Sequence, residues 1–348
     1  SRAETTSNIG MVAGETLYLR AGDIQNPDDT RLNGELALRS SQLSRITSRF
    51  DNRTAALLGA SGAVANSDFN GDVDLNLGAG VTAYSNFADI SARNSAWRGN
   101  DAPNMIGRAA GVASGAALYS RVTGDFNVDT TINDGASLYQ MGDPDLAKRY
   151  LINTRSEYGI GDYVVIDAAG AVALPFGDTN VTVTHTDAVT IGAANIFARG
   201  VLDISSGASG AIRSEQTSTA SGIAGVPTAD ATTNYTGNSA IDIGTGAYLE
   251  SYRDIELNAG YVGGAPPTLI IHAEARVFNR TAVPVVPLLH PEGIARSQIN
   301  TSVTIGGAND TSGNRARVIA YENIFVNASG GVRDVRGFAV AKDFYKQI

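Results

Sequence analysis

Hydrophobic and polar residues alternate in short runs along most of this chain. Ile241-Asp242-Ile243 and Ile255-Glu256-Leu257 show the pattern, in which every second side chain is apolar. A period of two residues places the apolar side chains on one face of a β-strand. The pattern therefore predicts an all-β protein built from many short strands.

The alternating runs recur within a repeated phrase. The segments GAGVTAYSNFADISA at 78–92, GTGAYLESYRDIELNAG at 244–260 and RVIAYENIFVNASGG at 317–331 each lead from a short strand to Asp-Ile or Asn-Ile. Gly-Asp and Gly-Asn turns that open strands recur at intervals close to multiples of about 19 residues, a period typical of solenoids. Strands this short are stable only when they stack on their neighbours. We therefore predict a right-handed parallel β-helix with loop insertions and about 19 residues per coil.

A β-sandwich is the alternative architecture, because it also combines many short strands with glycine-rich turns. Sandwich strands carry larger aromatic side chains inside and do not repeat one phrase, so we prefer the β-helix.

The chain is expected to divide into four segments. These are N-terminal coils or a cap at 1–60, the β-helix at 61–264, a proline-rich insertion at 265–296 and terminal β-helix coils at 297–348. In the first segment Leu36, Leu43, Ile46 and Phe50 also fit helical spacing, so a capping helix is an open alternative there.

Stacked coils would bury the apolar member of each alternating pair and expose the polar member. The residues expected to be buried are Ile191, Ile204, Ile243, Ile255, Leu257, Ile305 and Ile324. The residues expected to be exposed are Ser205, Glu256 and Asn258.

Composition narrows the range of functions. The 348 residues include 39 glycines and no cysteine, which rules out disulfides and thiolate metal sites. A formal net charge of −9 and scattered arginines do not fit nucleic-acid binding, which needs clustered cations. No apolar run reaches the roughly 18 residues of a membrane-spanning helix. We therefore expect no nucleic-acid partner and no membrane span.

The phrases GAYLESYRDIELNAG, GAGVTAYSNFADISA and GVLDISSGA resemble the repeats of filamentous-haemagglutinin-like proteins, the large secreted exoproteins of Gram-negative bacteria and cyanobacteria. The resemblance extends over residues 60–340. It implies a β-helix with small residues at one corner and an Asp-Ile-x-Leu-x-Ala strand. It also implies surface display, adhesion or filament formation, and it offers no catalytic residues.

Residues suited to catalysis or metal binding are sparse. The three histidines, His185, His272 and His290, stand in unrelated contexts, and the sequence has no nucleophile elbow, phosphate loop or zinc motif. The acidic turns at 28–29 and 143–145 offer carboxylates to calcium but lack the glycine pattern of calcium-binding β-rolls. We therefore expect solvated turns there, and no catalytic residue, metal or cofactor.

Five tyrosines form the candidate contact surface: Tyr18, Tyr84, Tyr119, Tyr139 and Tyr321. Each follows a leucine or an alanine, so it points outward wherever that preceding residue points inward. Equivalent positions in a solenoid stack into columns, and an exposed aromatic column can bind sugar rings or a neighbouring filament. In the alternative interpretation these side chains cover hydrophobic surface under loops.

These patterns favour an extracellular or cell-surface structural protein, a filament or adhesin subunit without catalytic activity. Its expected partners are surface glycans and further copies of the chain, joined end to end or laterally. The final segment AVAKDFYKQI has no evident polar cap, so we expect further coils or end-to-end stacking. A carbohydrate-active enzyme, either a polysaccharide lyase or a hydrolase, is the second hypothesis. Three or more charged groups converging in one groove would favour that enzyme.

Overall fold

The computed structural model describes residues 2–9, 17–21, 34–99, 102–142, 149–262, 267–282, 290–306 and 314–344. These residues form strands and turns, and no helix occurs among them. The strands are β1 (Arg2–Ile9), β2 (Leu17–Arg20), β3 (Glu35–Arg45), β4 (Phe50–Ala55), β5 (Leu58–Leu77), β6 (Val81–Ser85), β7 (Phe87–Arg98), β8 (Met105–Ala110), β9 (Ala113–Ile132), β10 (Ser137–Gln140), β11 (Tyr150–Ile191), β12 (Asn195–Ala198), β13 (Leu202–Gly225), β14 (Thr228–Ile243), β15 (Tyr248–Ser251), β16 (Ile255–Ala259), β17 (Thr268–Thr281), β18 (His290–Ile305), β19 (Arg317–Ala320), β20 (Ile324–Ala328) and β21 (Val332–Asp343). The all-β prediction is confirmed, and β3 and β4 occupy the region where a capping helix was the alternative.

The strands form two sheets, and every pairing between described strands is parallel. Fifteen of these strands belong to the large sheet. The small sheet has six strands in the order β2-β6-β10-β12-β15-β19. Parallel pairing does not fit the β-sandwich alternative, whose sheets are antiparallel.

The chain returns to the same place in a sheet only after a long circuit. Tyr150 pairs with Leu202, and Ile255 pairs with Ile324. Each circuit crosses the small sheet once, and we call the six circuits layers 1 to 6. Their described residues lie within 2–57, 58–112, 113–171, 172–225, 226–282 and 290–344. Each circuit is roughly three times as long as the predicted coil of about 19 residues, so that prediction is wrong.

Within a layer the chain follows one flank of the large sheet, crosses the small sheet and returns along the other flank. In layer 2 these parts are β5, then β6, then β7 with β8. The two flanks face each other, because Leu118 of β9 packs with Val164 and Ile166 of the returning part of β11. The large sheet is thus folded over on itself, and the small sheet closes the wide end. A layer with three sides gives about three turn signals, which explains the shorter apparent period.

The interior narrows from the small sheet towards the edge where the flanks meet. Beside the small sheet the core consists largely of leucine, isoleucine and valine, among them Leu75, Leu138 and Ile196. At the far edge the last cluster consists of three alanines, Ala168, Ala173 and Ala220. Side-chain volume therefore follows the width of the space between the flanks.

Glycines form a column along the edge where the large sheet folds over, which we call the folded edge. A Cβ atom on Gly111 would collide with the carbonyl oxygen of Ala56, and one on Gly170 would collide with that of Gly111. Gly222 meets the Gly170 oxygen in the same way and has a positive φ of 135°. Backbones of successive layers approach so closely here that only glycine fits.

The predicted inward residues are buried in the inner layers but not in layer 6. Ile191, Ile204, Ile243, Ile255 and Leu257 are all buried, as expected. The prediction is wrong for Ile305 and Ile324, which are 43% and 47% exposed. Both belong to layer 6, and no further layer covers them among the described residues.

Two polar residues that the alternation predicts to be exposed are buried. Ser205 lies in register between the larger Asn153 and Asn258, whose side chains shield it. Asn258 accepts a 2.8 Å hydrogen bond at Oδ1 from Nδ2 of Asn327, in the next layer. Glu256 is half-buried. Stacking within a polar column therefore buries small and amide side chains on the outer face.

The proline-rich segment 265–296 contributes strands to the large sheet instead of forming an insertion. β17 pairs in register with β13, and β18 pairs with β14. Pro291 fits into β18 because this strand pairs on one side only among the described strands. Residues 283–289 lie outside the described residues. Strands β5 and β18 also run through the boundaries expected at 60 and 296.

Replacing Ile243 by alanine should destabilise the protein far more than the same change at Ile305. The two residues are register partners, but Ile243 is 1% exposed and Ile305 is 43% exposed. We expect a loss of about 2–5 kcal/mol in the free energy of unfolding for Ile243→Ala and less than half of that for Ile305→Ala. Urea denaturation measures both, and equal losses would contradict an open layer 6.

Replacing Gly170 by alanine should lower the free energy of unfolding by more than about 2 kcal/mol, because the new Cβ collides with backbone. Gly115 is the matched control, since a Cβ there would meet its nearest atom, the Leu174 oxygen, at an ordinary 3.6 Å. We expect Gly115→Ala to change the unfolding midpoint little. A tolerated Gly170→Ala would show that the layers are not this close at the folded edge.

Candidate functional site

The outer face of the small sheet carries a row of aromatic side chains. In β6, Val81 and Ala83 are fully buried, so the alternation turns Tyr84 outward. Tyr139 of β10 lies in register with Tyr84, and Phe197 of β12 lies in register with Tyr139. Parallel pairing without offset therefore places three aromatic side chains of successive layers in one column.

The first part of this row is a stack closed by a cation. The rings of Tyr84 and Tyr139 have centroids 5.2 Å apart and planes inclined by 16°. The guanidinium of Arg20, in register with Tyr84 in layer 1, lies 5.3 Å from the centroid of that ring. The stack therefore combines ring stacking with a cation–π contact, which is most favourable over a ring face.

The second part of the row begins at Phe197. Its ring meets that of Tyr252 edge-on at a centroid distance of 5.4 Å. Tyr252 in turn stacks on Tyr321 at 5.0 Å, with planes inclined by 17°. We call the six residues of both parts the aromatic strip: Arg20, Tyr84, Tyr139, Phe197, Tyr252 and Tyr321.

A carboxylate lies against the strip. Tyr248 donates a 2.5 Å hydrogen bond to Oε2 of Glu250, and Tyr321 donates one of 3.3 Å to Oε1. The hydrogen bond to Glu250 raises the pKa of Tyr248, and the charge of Glu250 raises the pKa of Tyr321. Both phenols therefore keep their protons and act as donors near the carboxylate.

The five tyrosines singled out in the sequence are distributed over both sheets. Tyr84, Tyr139 and Tyr321 belong to the aromatic strip. Tyr18 is 70% exposed on the small sheet but pairs with Thr82, in the next column. Tyr119 lies on the large sheet, where it packs against Phe176 at 5.4 Å.

Sequence reasoning missed four residues of this surface, namely Arg20, Phe197, Glu250 and Tyr252. Phe197 and Glu250 occupy the outward positions of strands β12 and β15, in register with each other. The alternation within these short strands could have predicted that both side chains point outward. Tyr252 follows directly after β15, so no strand pattern indicated it.

Stacking determines what the strip can offer to a ligand. In each stacked pair the rings cover one face of each other, so those faces are not free to hold a sugar. Ring edges, phenol hydroxyls and the Glu250 carboxylate remain available on the outer side. The strip is therefore suited to hydrogen bonding with a polyhydroxylated surface, with stacking restricted to the remaining ring faces.

A buried cluster around His185 is a second place where titratable groups meet. Tyr235 Oη lies 2.7 Å from His185 Nδ1, His185 Nε2 lies 3.5 Å from Asp187 Oδ2, and Ser156 donates to Asp187 Oδ1 at 2.6 Å. Burial lowers the pKa of His185 to about 3 and raises the pKa of Asp187 well above its usual range. Burial thus favours the neutral form of both groups, and the cluster belongs to the core.

The other two histidines do not join this cluster. His272 of β17 lies 3.4 Å from Glu274, and His290 is exposed at the start of β18. Over the part of the chain that the structure describes, no group of three or more His, Asp or Glu side chains is placed to hold a metal ion. The acidic turns at 28–29 and 143–145 lie outside the described residues.

A groove of about 430 Å³ lies on the outer face of the flank that β3, β7 and β11 form. Arg93, Arg155 and Glu157 line it, so three charged groups converge there. Arg155 forms an ion pair with Glu157, and Arg93 bonds to Asp89 at 2.9 Å. The convergence matches the feature expected of an enzyme, although these three charges are already paired.

No protein-family model, curated protein or solved structure matches this chain. Among the described residues there is no helix with the length and apolar character needed to cross a membrane.

The outer face of the large sheet carries a carboxylate whose ionisation should affect stability. Burial and the charges of Asp74 and Asp72 raise the pKa of Asp129 to about 6, from an ordinary value of 3.8. The folded protein therefore retains this proton where the unfolded chain has lost it. The resulting stability is complete below pH 3.8 and is lost as the pH rises through about 6.

Replacing Asp129 by asparagine should therefore stabilise the protein at pH 8, by about 1 kcal/mol after allowance for solvent screening. The gain should vanish at pH 3, where the carboxyl is neutral in both states. Asp125→Asn makes the same change from carboxyl to amide at an exposed position on the same strand and is the matched control. Thermal unfolding across this pH range tests the prediction, and an equal gain at pH 3 and pH 8 would contradict it.

Proposed function

We propose that this chain is a right-handed parallel β-helix that serves as an extracellular structural or adhesive module. The fold proposal is supported by the return of the chain to an adjacent parallel position one layer later, from Tyr150 to Leu202 and from Ile255 to Ile324. It is also supported by the six parallel strands of the small sheet, one from each layer.

The observation that carries the adhesive role is the aromatic strip. Its residues come from all layers of the small sheet, from Arg20 in layer 1 to Tyr321 in layer 6. A buried aromatic ladder would serve stability alone, but Tyr321 is 63% exposed and its neighbours are partly accessible. A long accessible row of this kind suits contact with an extended partner.

Surface glycans are the proposed ligands. Phenol hydroxyls and the Glu250 carboxylate provide donors and acceptors to a polyhydroxylated chain, while exposed faces of Tyr18 and Tyr321 remain for sugar rings. This assignment agrees with the resemblance of the repeats to filamentous-haemagglutinin-like exoproteins, and with location outside the cell or on its surface.

End-to-end self-association is the second part of this proposal. In layer 6 the inward side chains of Ile305, Ile324 and Val326 are about half exposed. Strands β18 to β21 pair on one side only among the described strands, so backbone donors and acceptors are free at this end. A further layer, such as one from a second copy, would cover these apolar side chains and pair with these backbone groups.

Glycan binding should depend on the aromatic strip. We expect the double change Tyr84→Ala with Tyr139→Ala to weaken binding to glycan-coated surfaces by about thirtyfold, since the two aromatic contacts contribute on the order of 1 kcal/mol each. Tyr119→Ala removes a comparable tyrosine from the other sheet and should leave binding unchanged. Biolayer interferometry measures all three proteins.

Equal binding by wild type and the double variant would remove the strip from the proposal.

The same polysaccharides should be incubated with the protein to test the enzyme hypothesis, which the groove at Arg93, Arg155 and Glu157 favours. Release of reducing or unsaturated ends, lost in Arg155→Ala, would favour a carbohydrate-active enzyme over an adhesive module.

A further inference from the structure

The folded edge of the large sheet is apolar and carries no charge in four successive layers. The uncharged segments that pass over it are 54–65, 109–120, 168–177 and 217–229. Alanine and glycine make up most of the first three, whereas the fourth contains as many serine and threonine residues as alanine and glycine residues. Sharp turns at protein surfaces ordinarily use Asn, Asp, Ser and Pro besides glycine, and loop surfaces are mostly polar. This edge therefore departs from an ordinary solvated turn.

The glycine column turns large apolar side chains outward at this edge. Val112 directly follows Gly111 and Ile223 directly follows Gly222, both glycines of the column. Leu57 directly follows Ala56, whose backbone lies against Gly111. Leu57 and Leu58 are 75% and 76% exposed, and Val112 and Ile223 are both 56% exposed. The positions of these residues next to the close backbone contacts therefore determine that their side chains face outward.

These side chains form one continuous patch, which we call the apolar edge: Leu57, Leu58, Val112, Val172, Leu174 and Ile223. Leu58, Ala113 and Val172 are register partners in three successive layers, so the patch runs along the stack. Tyr119 and Phe176 extend it onto the flank. A contiguous exposed apolar surface rimmed by charged residues is typical of a protein contact site.

Charges beside the apolar edge change sign along the stack. The segment 109–120 is flanked by Arg108 and Arg121, whereas 168–177 is flanked by Asp167 and Asp178. Arg108 already forms a 3.4 Å ion pair with Asp167 of the next layer, so Arg121 and Asp178 carry the charge contrast between these two segments. The segment 217–229 is flanked by Glu215 and Asp230, and 54–65 by Arg53 with Asp68 nearby. The edge is thus basic in its second segment and acidic in its third and fourth. Two copies side by side in the same direction would bring like charges together, whereas opposite directions would place Arg121 of one copy opposite Asp178 of the other.

We infer that the apolar edge is a lateral interface between two copies of this chain, joined in antiparallel orientation about a two-fold axis. This inference rests on the proposed structural role and adds a lateral contact to it. The axis passes between the second and third segments, so Leu57 of one copy faces Ile223 of the other. Such an isologous interface closes after two copies and buries the exposed leucines, valines and isoleucines of both.

Cysteine cross-linking tests the orientation, because the chain has no cysteine of its own. Leu57→Cys and Ile223→Cys are prepared as separate proteins, mixed and oxidised gently. Antiparallel pairing predicts that a disulfide forms between the two different variants in preference to either variant with itself. Enrichment of Leu57→Cys linked to its own kind would overturn the antiparallel arrangement. Leu43→Cys, on the outer face of β3 with 66% exposure, sets the level of random collision.

Sedimentation velocity tests the interface itself. We expect wild type to dimerise, and the pair Val112→Asp with Val172→Asp to raise the dissociation constant at least tenfold. Leu43→Asp makes the same chemical change at a comparable exposure elsewhere and should leave it unaltered. Circular dichroism confirms that the variants fold.

Three outcomes would overturn the inference: a wild-type protein that stays monomeric at high concentration, an aspartate pair that dimerises as wild type does, or cross-linking no higher than with Leu43→Cys. Binding of monomers to phosphatidylcholine vesicles through the same edge would also overturn it. Glycan binding is measured separately, so a monomer that still binds glycans would remove the lateral interface and leave the proposed function in place.

Discussion

In-register parallel hydrogen bonding between layers is the constraint on which the rest of this structure depends. Paired residues lie one full layer apart in the chain, as Tyr150 and Leu202 do and as Ile255 and Ile324 do, and the side chains of partners point the same way. A choice of residue in one layer therefore sets the environment of the corresponding residue in the next. Short strands that would be unstable alone gain both backbone partners and a continuous core.

Stacking like on like stabilises some columns and destabilises others. Amide side chains satisfy each other in such a column, as Asn76 does with Asn8 at 3.0 Å and Asn300 with Asn238 at 2.9 Å. The aromatic rings of Tyr84 and Tyr139 likewise stabilise their column by stacking on each other. Carboxylates do not: burial, together with the charges of Asp74 and Asp72, raises the pKa of Asp129. Amide and aromatic columns therefore stabilise the outer face, whereas a carboxylate column such as Asp74 with Asp129 lowers stability at neutral pH.

Local patterns in the sequence predicted what depends on alternation alone. The all-β class and the burial of Ile191 and Leu257 follow directly from a period of two. The number of residues in a layer could not be predicted from alternation. Turn residues recur at each side of a layer, whereas strand pairing joins residues that are one full layer apart. The aromatic strip was predicted in part, since Phe197 is outward by alternation while Tyr252 lies beyond its strand. The exposure of Ile305 depends on what covers layer 6, which no local pattern encodes.

Alternation also leaves the register between layers undetermined by multiples of two residues, because a slip of two keeps every side chain on its own face. Specific contacts must exclude such slips. A shift of two would bring Ala168 or Val172 to the position of Gly170, where a Cβ atom collides with the carbonyl oxygen of Gly111. Inside, Arg98 donates to Ser48 in layer 1 at 3.0 Å and to Asp162 in layer 3 at 2.6 Å, and Thr179 of layer 4 donates to the same carboxylate at 2.5 Å. A buried ion pair of this kind adds little net stability, but any slip would strand its charges without partners. Polar groups in the core such as Arg98 and Asp162 therefore select the register that the apolar columns then stabilise.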